Sequence, residues 1–390
     1  FTSSKGRFLS ILILMMLGSL ALVGLKVAPP NMRRTATDYL KEQRTMDLAV
    51  MADYGLDAAD QKELETIKGA DVEFGYLTDV TVGEEALRVF SDTKDISNFQ
   101  VTSGRLPKNE QEISLASFWS KKYKLGQEID LTEKAGRPSV LKNKTYKIVG
   151  FVNSAELWSD KNLGNANSGS GNLDAYAVLA PEAFSSNVYS IARLRYQDLA
   201  DLDSFARIYQ DKLAAHQEQL NEDLKDNGAA RLKSLQANAI ASIQAGAEKI
   251  KNAEADIAQG QKQLEQVQAK LEEQEKKLNQ AADSGLLAEE SLASSRSELE
   301  QGKTQMAQKK KGLEQATAEL KNRKVELQQA REDLASLTEP AYHSYTRKSL
   351  PGSQGYLMYS NATNSIAAVA NIFPVVLYLV AAMVTFTTMT

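Results

Sequence analysis

The sequence predicts an α+β fold: a membrane-anchored extracytoplasmic α+β core domain that carries a long antiparallel helical hairpin and is flanked by two transmembrane helices. Three observations predict this architecture. Both ends of the 390-residue chain are strongly apolar. Residues 37–200 contain short runs that are typical of strands. Residues 230–338 are rich in Ala, Gln, Glu and Lys and repeat a large apolar side chain every seven residues.

Composition excludes several classes of function. The net charge of −4 gives no electrostatic support for a nucleic-acid partner, and we expect none. The chain has no cysteine, which excludes disulfides, thiol catalysis and thiolate metal sites. The two histidines, His216 and His343, lie far apart in sequence, and His216 is predicted to be a surface residue. We therefore predict no catalytic, cofactor-binding or metal-binding residues, no cofactor and no enzymatic activity.

The first apolar segment is long enough to cross a membrane. Phe8–Leu25 carries no charge, and the predicted transmembrane helix extends over residues 8–28 if Lys26 reaches back to the interface. A secretory signal peptide is the alternative. No small-x-small cleavage site precedes Pro29-Pro30, which favours a retained helix.

The second apolar segment, Ile366–Thr390, also carries no charge and predicts a second transmembrane helix over residues 366–390. Pro374 is tolerated there because kinked membrane helices are common. A buried helix of a soluble protein is the alternative. Since the chain starts with Phe1 and stops within this segment, we expect a fragment of a longer multi-pass protein.

Charge flanking the first helix predicts the orientation. Lys5 and Arg7 place the N-terminus in the cytoplasm by the positive-inside rule. Long loops are translocated largely regardless of charge, so residues of about 30–365 are expected outside a cell membrane. The lack of cysteine is compatible with this location.

The region 37–200 predicts a compact domain. Helices are predicted at Asp57–Lys68, with Asp57 as the cap, and at Ser117–Tyr123. The glycine-rich Gly164–Gly171 predicts a flexible loop. The predicted strands are Leu48–Ala52, Val72–Val82, Ala86–Phe90, Glu112–Ala116, Glu128–Thr132, Tyr146–Asn153, Ala175–Leu179 and Val188–Tyr196.

A run of motifs within residues 103–153 carries a family resemblance. A Gly-Arg-x-Pro turn at 104–107 leads into Glu-Ile-x-Leu at 112–115, a short helix, Leu-Gly-x-x-Ile at 125–129 and Tyr-x-Ile-Val-Gly-Phe at 146–151. In this order the motifs resemble the extracytoplasmic core domain of FtsX/MacB-like ABC transporter permeases. The resemblance covers residues 1–200 and 341–390, including the order of membrane helix, domain and membrane helix.

The residues of these motifs have structural roles by their chemistry. Gly104 and Gly126 suit turns with unusual backbone angles, and the alternating apolar residues are expected to face inward. Arg105 is predicted to be solvated or to cap a hairpin.

The resemblance implies function and partners. It implies a permease subunit, in a dimeric permease, that pairs with a separate cytoplasmic ABC ATPase and transmits ATP-driven conformational change to the outside face. Export and the control of cell-wall hydrolases both remain open. The lipid bilayer is a further expected partner.

A helical insert follows the domain. Residues 203–227 predict a connecting helix that ends at Asn227-Gly228. The seven-residue repeat then runs in two series: Ile243, Ile250, Ile257, Leu264, Leu271 and Leu278, and Leu292, Leu299, Met306, Leu313, Leu320, Leu327 and Leu334.

The two series mirror each other about Gly285. Leu278 and Leu292 are equidistant from it, as are the pairs farther along, so residues 230–338 predict an antiparallel hairpin with its tip near Gly285. Each arm would extend roughly 80 Å at ~1.5 Å per residue. A continuous helix in a parallel dimer is the alternative. We expect an extracytoplasmic protein or a substrate to contact this stalk, although a self-sufficient spacer is equally compatible with the sequence.

The return segment, residues 341–365, leads to the second apolar helix. Its Tyr-Leu-Met-Tyr at 356–359 predicts either an interfacial aromatic anchor or packing against the core domain.

A membrane-anchored adaptor or tether of the HlyD type, with a helical-hairpin stalk, is the alternative function. Such adaptors usually need one membrane helix and place strands on both sides of the hairpin. Here most strand material precedes the hairpin and a second apolar helix follows it, which favours the permease.

Overall fold

The computed structural model describes residues 5–136, 139–284 and 288–389. The fold is mixed α+β, with 56% of the residues helical and 19% in strands. The chain divides into two compact units: residues 1–227 with 340–390, which we call the sheet unit, and residues 228–339, which we call the arm unit.

Six α-helices and twelve strands make up the described part of the chain. The helices are α1 Lys5–Glu42, α2 Ala58–Leu64, α3 Arg207–Asp223, α4 Asn227–Asp283, α5 Glu289–Ser336 and α6 Gln354–Met389. The strands are β1 Leu48–Ala52, β2 Ala70–Gly75, β3 Leu77–Val82, β4 Glu85–Ser91, β5 Gln100–Gly104, β6 Glu112–Ala116, β7 Glu128–Asp130, β8 Thr132–Glu133, β9 Thr145–Asn153, β10 Leu173–Leu179, β11 Ile191–Tyr196 and β12 Tyr342–Thr346.

The smaller sheet has the strand order β12-β1-β11-β2 and is antiparallel throughout. One face packs against α2 and α3 through a core that includes Leu48, Leu194 and Tyr209. The opposite face carries Ala49 and Ile191, which pack with Met46 and Leu350. Both faces of the two central strands, β1 and β11, are therefore covered, whereas the edge strands β2 and β12 are only partly buried.

The larger sheet has the order β5-β9-β6-β10-β4-β3-β8, and β7 also pairs with β9. It is mixed, because β6 runs parallel to β9 and β10 runs parallel to β4. The motif residues Ile113, Leu115, Ile129, Ile148 and Phe151 are all buried in its core, as the sequence predicted.

Most of the predicted strands are present in the structure. The main errors are one predicted strand that is divided in two and two edge strands that were not predicted. The predicted Leu48–Ala52 and Glu112–Ala116 have the bounds of β1 and β6. The predicted Val72–Val82 is two strands, β2 and β3, which belong to different sheets and separate at Tyr76. Two edge strands, β5 and β12, were not predicted, since neither is a continuous apolar run.

Local signals explain the ends of several elements. Asp57 accepts hydrogen bonds from Ala59 N and Asp60 N, so it caps α2 as predicted, with Asp60 completing the capping box. Gly104 has φ of 72°, and an added Cβ there would lie 2.3 Å from Val149 O. Only glycine fits this turn.

Arg105 remains exposed, as one of its two predictions had it, and also forms an ion pair. Both of its terminal nitrogens lie 2.6 Å from the carboxylate oxygens of Glu112, seven residues farther along the chain. This contact lowers the pKa of Glu112 to about 2. The arginine of the Gly-Arg-x-Pro turn thus connects the two ends of the loop between β5 and β6, which lie on either side of β9.

The connecting helix differs from its predicted bounds. Residues 203–206 form a turn before α3, and α3 ends at Asp223. Asn227-Gly228 opens α4 instead of ending α3. The Asn227 side-chain amide donates to Glu63 Oε2 at 2.6 Å, so it fastens the start of α4 to α2.

Within the arm unit, contacts between α4 and α5 run in antiparallel order. Lys324 Nζ lies 2.6 Å from Glu254 Oε1, and Lys303 Nζ lies 2.7 Å from Glu275 Oε1. The seven-residue anchors are half-buried or buried, and the most buried are Ile250, Leu299 and Leu320. The predicted tip, Gly285, lies outside the described residues.

Small residues let the two arms approach closely. An added Cβ would lie 2.8 Å from Leu313 Cδ1 at Gly260, and 2.7 Å from Leu271 Cδ2 at Gly302. The leucine side chains of the opposite arm therefore pack directly against the backbone at these glycines. They bury less apolar area than a second row of large side chains would bury.

Candidate functional site

The two apolar helices, α1 and α6, are each long and apolar enough to span a membrane. They pack against each other in antiparallel order. Lys26 Nζ donates to Asn371 Oδ1 at 2.6 Å, and Arg33 Nη2 donates to Asn364 Oδ1 at 3.0 Å. The C-terminal end of α1 and the N-terminal end of α6 consequently lie side by side at the sheets.

Helix α1 continues well beyond its apolar part. It has 38 residues, or roughly 57 Å at ~1.5 Å per residue, and includes Pro29 and Pro30 without interruption of the helix. Its last turns are held by Thr37 Oγ1, which donates to Asp203 Oδ1 at 3.0 Å, and by Lys41 Nζ, which donates to Asp201 O at 2.9 Å. Only five residues separate its end from β1.

Five aromatic rings join α1, α6 and two loops of the sheet unit; we call them the aromatic cluster. Trp158 makes edge contacts with three tyrosines at ring-centre distances of 5.0–5.9 Å. Phe205 stacks on one of these tyrosines at 5.8 Å. The members are Tyr39, Trp158, Phe205, Tyr356 and Tyr359.

This cluster decides between the two predictions for residues 356–359. Tyr356 is almost fully buried, and Tyr359 donates a hydrogen bond to Met32 O at 2.8 Å. Both tyrosines pack on the sheet unit and α1, so the second prediction is the correct one. At Gly355 an added Cβ would lie 2.7 Å from Ser159 N, which shows how closely the first turn of α6 approaches this loop.

A buried ion pair holds the return segment to the start of the domain. Arg347 Nη2 lies 2.7 Å from Asp47 Oδ1, and both side chains are less than a tenth exposed. Arg347 also donates to the carbonyls of Thr45 and Met46, which lie three and four residues beyond the end of α1. Asp47 is further satisfied by the Tyr209 hydroxyl at 2.6 Å.

Burial reinforces this arrangement. It raises the pKa of Tyr209 well above its ordinary value, so the hydroxyl keeps its proton and remains a donor to Asp47. A buried carboxylate with three donors and a buried guanidinium with a carboxylate partner are both stable in this form.

A second buried ion pair fastens the end of the return segment. Arg88 on β4 makes a bidentate contact with Asp79 on β3, at 2.7 and 2.9 Å. The same guanidinium donates to Pro351 O and Asn165 O. The loop predicted to be flexible, Gly164–Gly171, is therefore held at Asn165, and the residues just before α6 are held at Pro351.

A third buried ion pair joins the smaller sheet to the loop that follows β9. Arg193 on β11 makes two contacts with Glu156, at 2.6 and 3.2 Å, and both side chains are at most 3% exposed. Glu156 belongs to the loop that carries Trp158. This pair thus connects the aromatic cluster to the sheet.

Together the aromatic cluster and the three pairs form the junction. Both connections between the apolar helices and the sheets are fixed by buried contacts. These contacts hold the ends of the two helices and the sheets in one arrangement.

The histidines give no chemical site. His216 lies at the surface with its ring partly covered: the ring stacks on Tyr196 at 3.9 Å and Nε2 contacts Asp198. Lys212, with His216 beside it, holds the pKa of Asp198 below its usual range. His343 is an exposed residue of β12. Within the described ranges, no group of three or more His, Asp and Glu side chains is placed to hold a metal ion.

Sequence reasoning missed every buried pair of the junction. The partners of each pair are between 9 and 300 residues apart, so no local pattern marks them. One signal was available. Tyr342–Thr346 contains two tyrosines and a threonine, residue types that are enriched in strands, and a strand there would have placed Arg347 directly after it.

A comparison with protein-family models finds no match for this chain, and neither does a comparison with curated protein sequences. Function is therefore inferred from the geometry of the junction.

Proposed function

We propose that the chain belongs to the permease subunit of an ABC transporter of the FtsX/MacB type. In this proposal α1 and α6 cross the cell membrane, and residues of about 30–365 lie outside. A separate cytoplasmic ATPase binds ATP and changes the packing of the membrane helices. The junction delivers that change to the sheet unit, which acts on an exported molecule or on a partner in the cell envelope.

The junction is the observation that carries this proposal. A domain that is merely tethered needs only a flexible linker to its anchor. Here α1 passes into β1 within a few residues, and Arg347 and Arg88 hold the chain on either side of the turn before α6. A rotation or shift of either apolar helix would therefore move the sheets, since packed interfaces deform little.

The antiparallel packing of α1 and α6 supports the membrane placement. Both domain-facing ends lie at the same side of the helix pair, so a single bilayer would leave all residues between the helices on one side. The charge of Lys5 favours the cytoplasm for the opposite side.

The first experiment tests this topology by cysteine labelling. These 390 residues contain no cysteine, so each introduced thiol is the only one among them. In intact cells a membrane-impermeant maleimide is expected to label Lys94→Cys, in an exposed loop of the sheet unit, and to label Lys5→Cys only after lysis. The reverse pattern would overturn the proposed orientation.

The second experiment tests the coupling with the two tryptophans. Trp158 lies in the junction, and Trp119 is buried in the larger sheet. Trp119→Phe leaves Trp158 as the reporter, and Trp158→Phe provides the matched control. The intact protein is purified with the ATPase that accompanies it, and tryptophan emission is recorded with and without a non-hydrolysable ATP analogue.

We expect the analogue to shift the emission of the Trp158 reporter but not of the Trp119 reporter. Background from the ATPase is the same in both variants and cancels in the comparison. If no ATPase accompanies the protein and neither reporter responds, the permease proposal fails, and a membrane-anchored adaptor or tether becomes the better explanation.

A further inference from the structure

A groove between α1 and α6 carries charges that the coupling function does not use. Its volume is about 510 Å³, within the range of small-molecule sites. Lys26 and Arg33 line one end, and the other end carries three aspartates, Asp38, Asp201 and Asp203, together with Arg34 and Lys41. The acidic side chains outnumber the basic ones at that end. Pro29, Pro30, Ala367 and Ala370 form apolar walls.

We propose that this groove binds the headgroup of an aminophospholipid, with the phosphate at Lys26 and Arg33 and the ammonium group toward the three aspartates. The site rests on the membrane position proposed for α1 and α6. It does not depend on an ATPase partner.

The cationic end has unused capacity for an anion. Lys26 and Arg33 contact only the neutral side chains of Asn371 and Asn364. In the described part of the chain, no carboxylate lies at ion-pair distance from either residue. An ammonium and a guanidinium without carboxylate partners can both donate to the oxygens of a phosphate.

The position of these two residues fits the headgroup layer. Lys26 directly follows the uncharged Phe8–Leu25, so its ammonium lies where the hydrocarbon ends. Arg33 is seven residues farther, roughly 10 Å along the helix. This separation is comparable to the headgroup layer of one leaflet, roughly 5–8 Å thick. The acyl chains would then lie along the apolar surfaces of α1 and α6.

The opposite end of the groove favours a headgroup that also carries a positive charge. Asp38 and Asp201 are exposed, and the Asp38–Arg34 contact at 3.7 Å is too exposed to neutralise the carboxylate fully. Asp203 Oδ1 accepts from Thr37 and Phe205 N, which fixes its carboxylate in place. Asp38 lies five residues beyond Arg33, roughly 7.5 Å along the helix, so one headgroup can reach both.

The experiment measures lipid binding to the purified full chain in detergent by native mass spectrometry. Phosphatidylethanolamine, phosphatidylglycerol and inorganic phosphate are titrated separately. The double variant Lys26→Gln/Arg33→Gln keeps amide donors toward Asn371 and Asn364. Lys5→Gln removes one positive charge at the far end of the same helix and serves as the control. Circular dichroism checks that all variants keep their helices.

We expect phosphatidylethanolamine to bind more tightly than phosphatidylglycerol, and the double variant to weaken its binding at least tenfold. Lys5→Gln should leave the affinity unchanged. Asp38→Asn/Asp201→Asn should reduce the preference for phosphatidylethanolamine at least threefold.

Three results would overturn the assignment. Equal binding to the native chain and the double variant would remove the phosphate site. Tighter binding of phosphatidylglycerol would remove the role of the aspartates. Displacement of the lipid by millimolar inorganic phosphate would indicate a site for a free anion. Because the assay contains no ATPase, failure of the coupling proposal would not affect it.

Discussion

The sheet unit and the arm unit bury side chains in opposite ways. The sheet unit surrounds three arginine–carboxylate pairs with a core in which many side chains are fully buried. In the described part of the arms, only Ile250, Leu299 and Leu320 among the large side chains are less than a tenth exposed. The sheet unit is fixed by contacts between distant parts of the chain. The arm unit is held by a narrow row of contacts between two helices.

From this difference we expect the sheet unit to be rigid and the arm unit to open locally. Buried polar networks hold a single arrangement, because loss of any partner leaves an uncompensated charge. A seam with one row of large residues depends more on helix propensity and can open with little loss of buried area. The arms are therefore the part that a partner could stabilise.

The largest effect is expected at Arg193. Arg193→Met leaves Glu156 buried without its counter-charge and should lower the free energy of unfolding by about 3–5 kcal/mol. Lys324→Met removes the exposed arm pair with Glu254 and should cost at most about 1 kcal/mol. Denaturant unfolding of the two variants measures both. Equal losses would contradict the contrast between the units.

A second comparison uses the same substitution in both units. Leu115→Ala removes a fully buried side chain from the larger sheet and should cost about 2–5 kcal/mol. Leu320→Ala opens onto the half-exposed arm seam, which can collapse, and should cost about 1–2 kcal/mol. Hydrogen exchange, read separately for each unit, tests this order, and a larger loss at Leu320 would disprove it.

A third prediction concerns pH. Burial, with Glu73 nearby, raises the pKa of Asp92 to about 6. Since this value lies above that of the unfolded chain, the folded protein holds the proton more tightly. Stability should therefore fall as the pH rises from about 4 to 6 and stay lower above it. Asp92→Asn should remove this fall and stabilise the protein by about 2 kcal/mol at pH 7–8.

The arm counterpart is Glu273, whose pKa is lowered by the exposed Lys277. Glu273→Gln should not change the pH profile of stability measurably, because solvent screens the pair. Thermal unfolding between pH 4 and 8 compares the two variants. A profile for Asp92→Asn that follows the native protein would refute the role of Asp92.

The smallest expected effect comes from glycine-to-alanine changes in the arms, which distinguish helix propensity from side-chain packing. At Gly312 an added Cβ meets open space, so Gly312→Ala should stabilise the arms by about 1 kcal/mol. At Gly260 the same change displaces Leu313, and the gain should be lost. Exchange protection of the arm amides is the measurement. Equal protection in the two variants would show that the packing of Leu313 against Gly260 does not contribute to the stability of the arms.

Local chemistry in the sequence by itself determined much of this protein. Uncharged apolar runs predicted two helices long enough to span a membrane, and α1 and α6 have that character. Alternating Ile, Val, Tyr and Phe marked most strands, and Asp57 marked the start of α2. These features depend on residues within a few positions of each other, where propensity and hydrophobic period act.

The contacts that form the junction became known only from the tertiary structure. Asp47 and Arg347 meet across 300 residues, and Trp158 joins tyrosines from both ends of the chain. An arginine looks the same in sequence whether its side chain is exposed, like that of Arg105, or forms a buried pair with a carboxylate, like that of Arg347. Only the folded chain brings the carboxylate within reach and removes the water, and burial then makes the pair decisive.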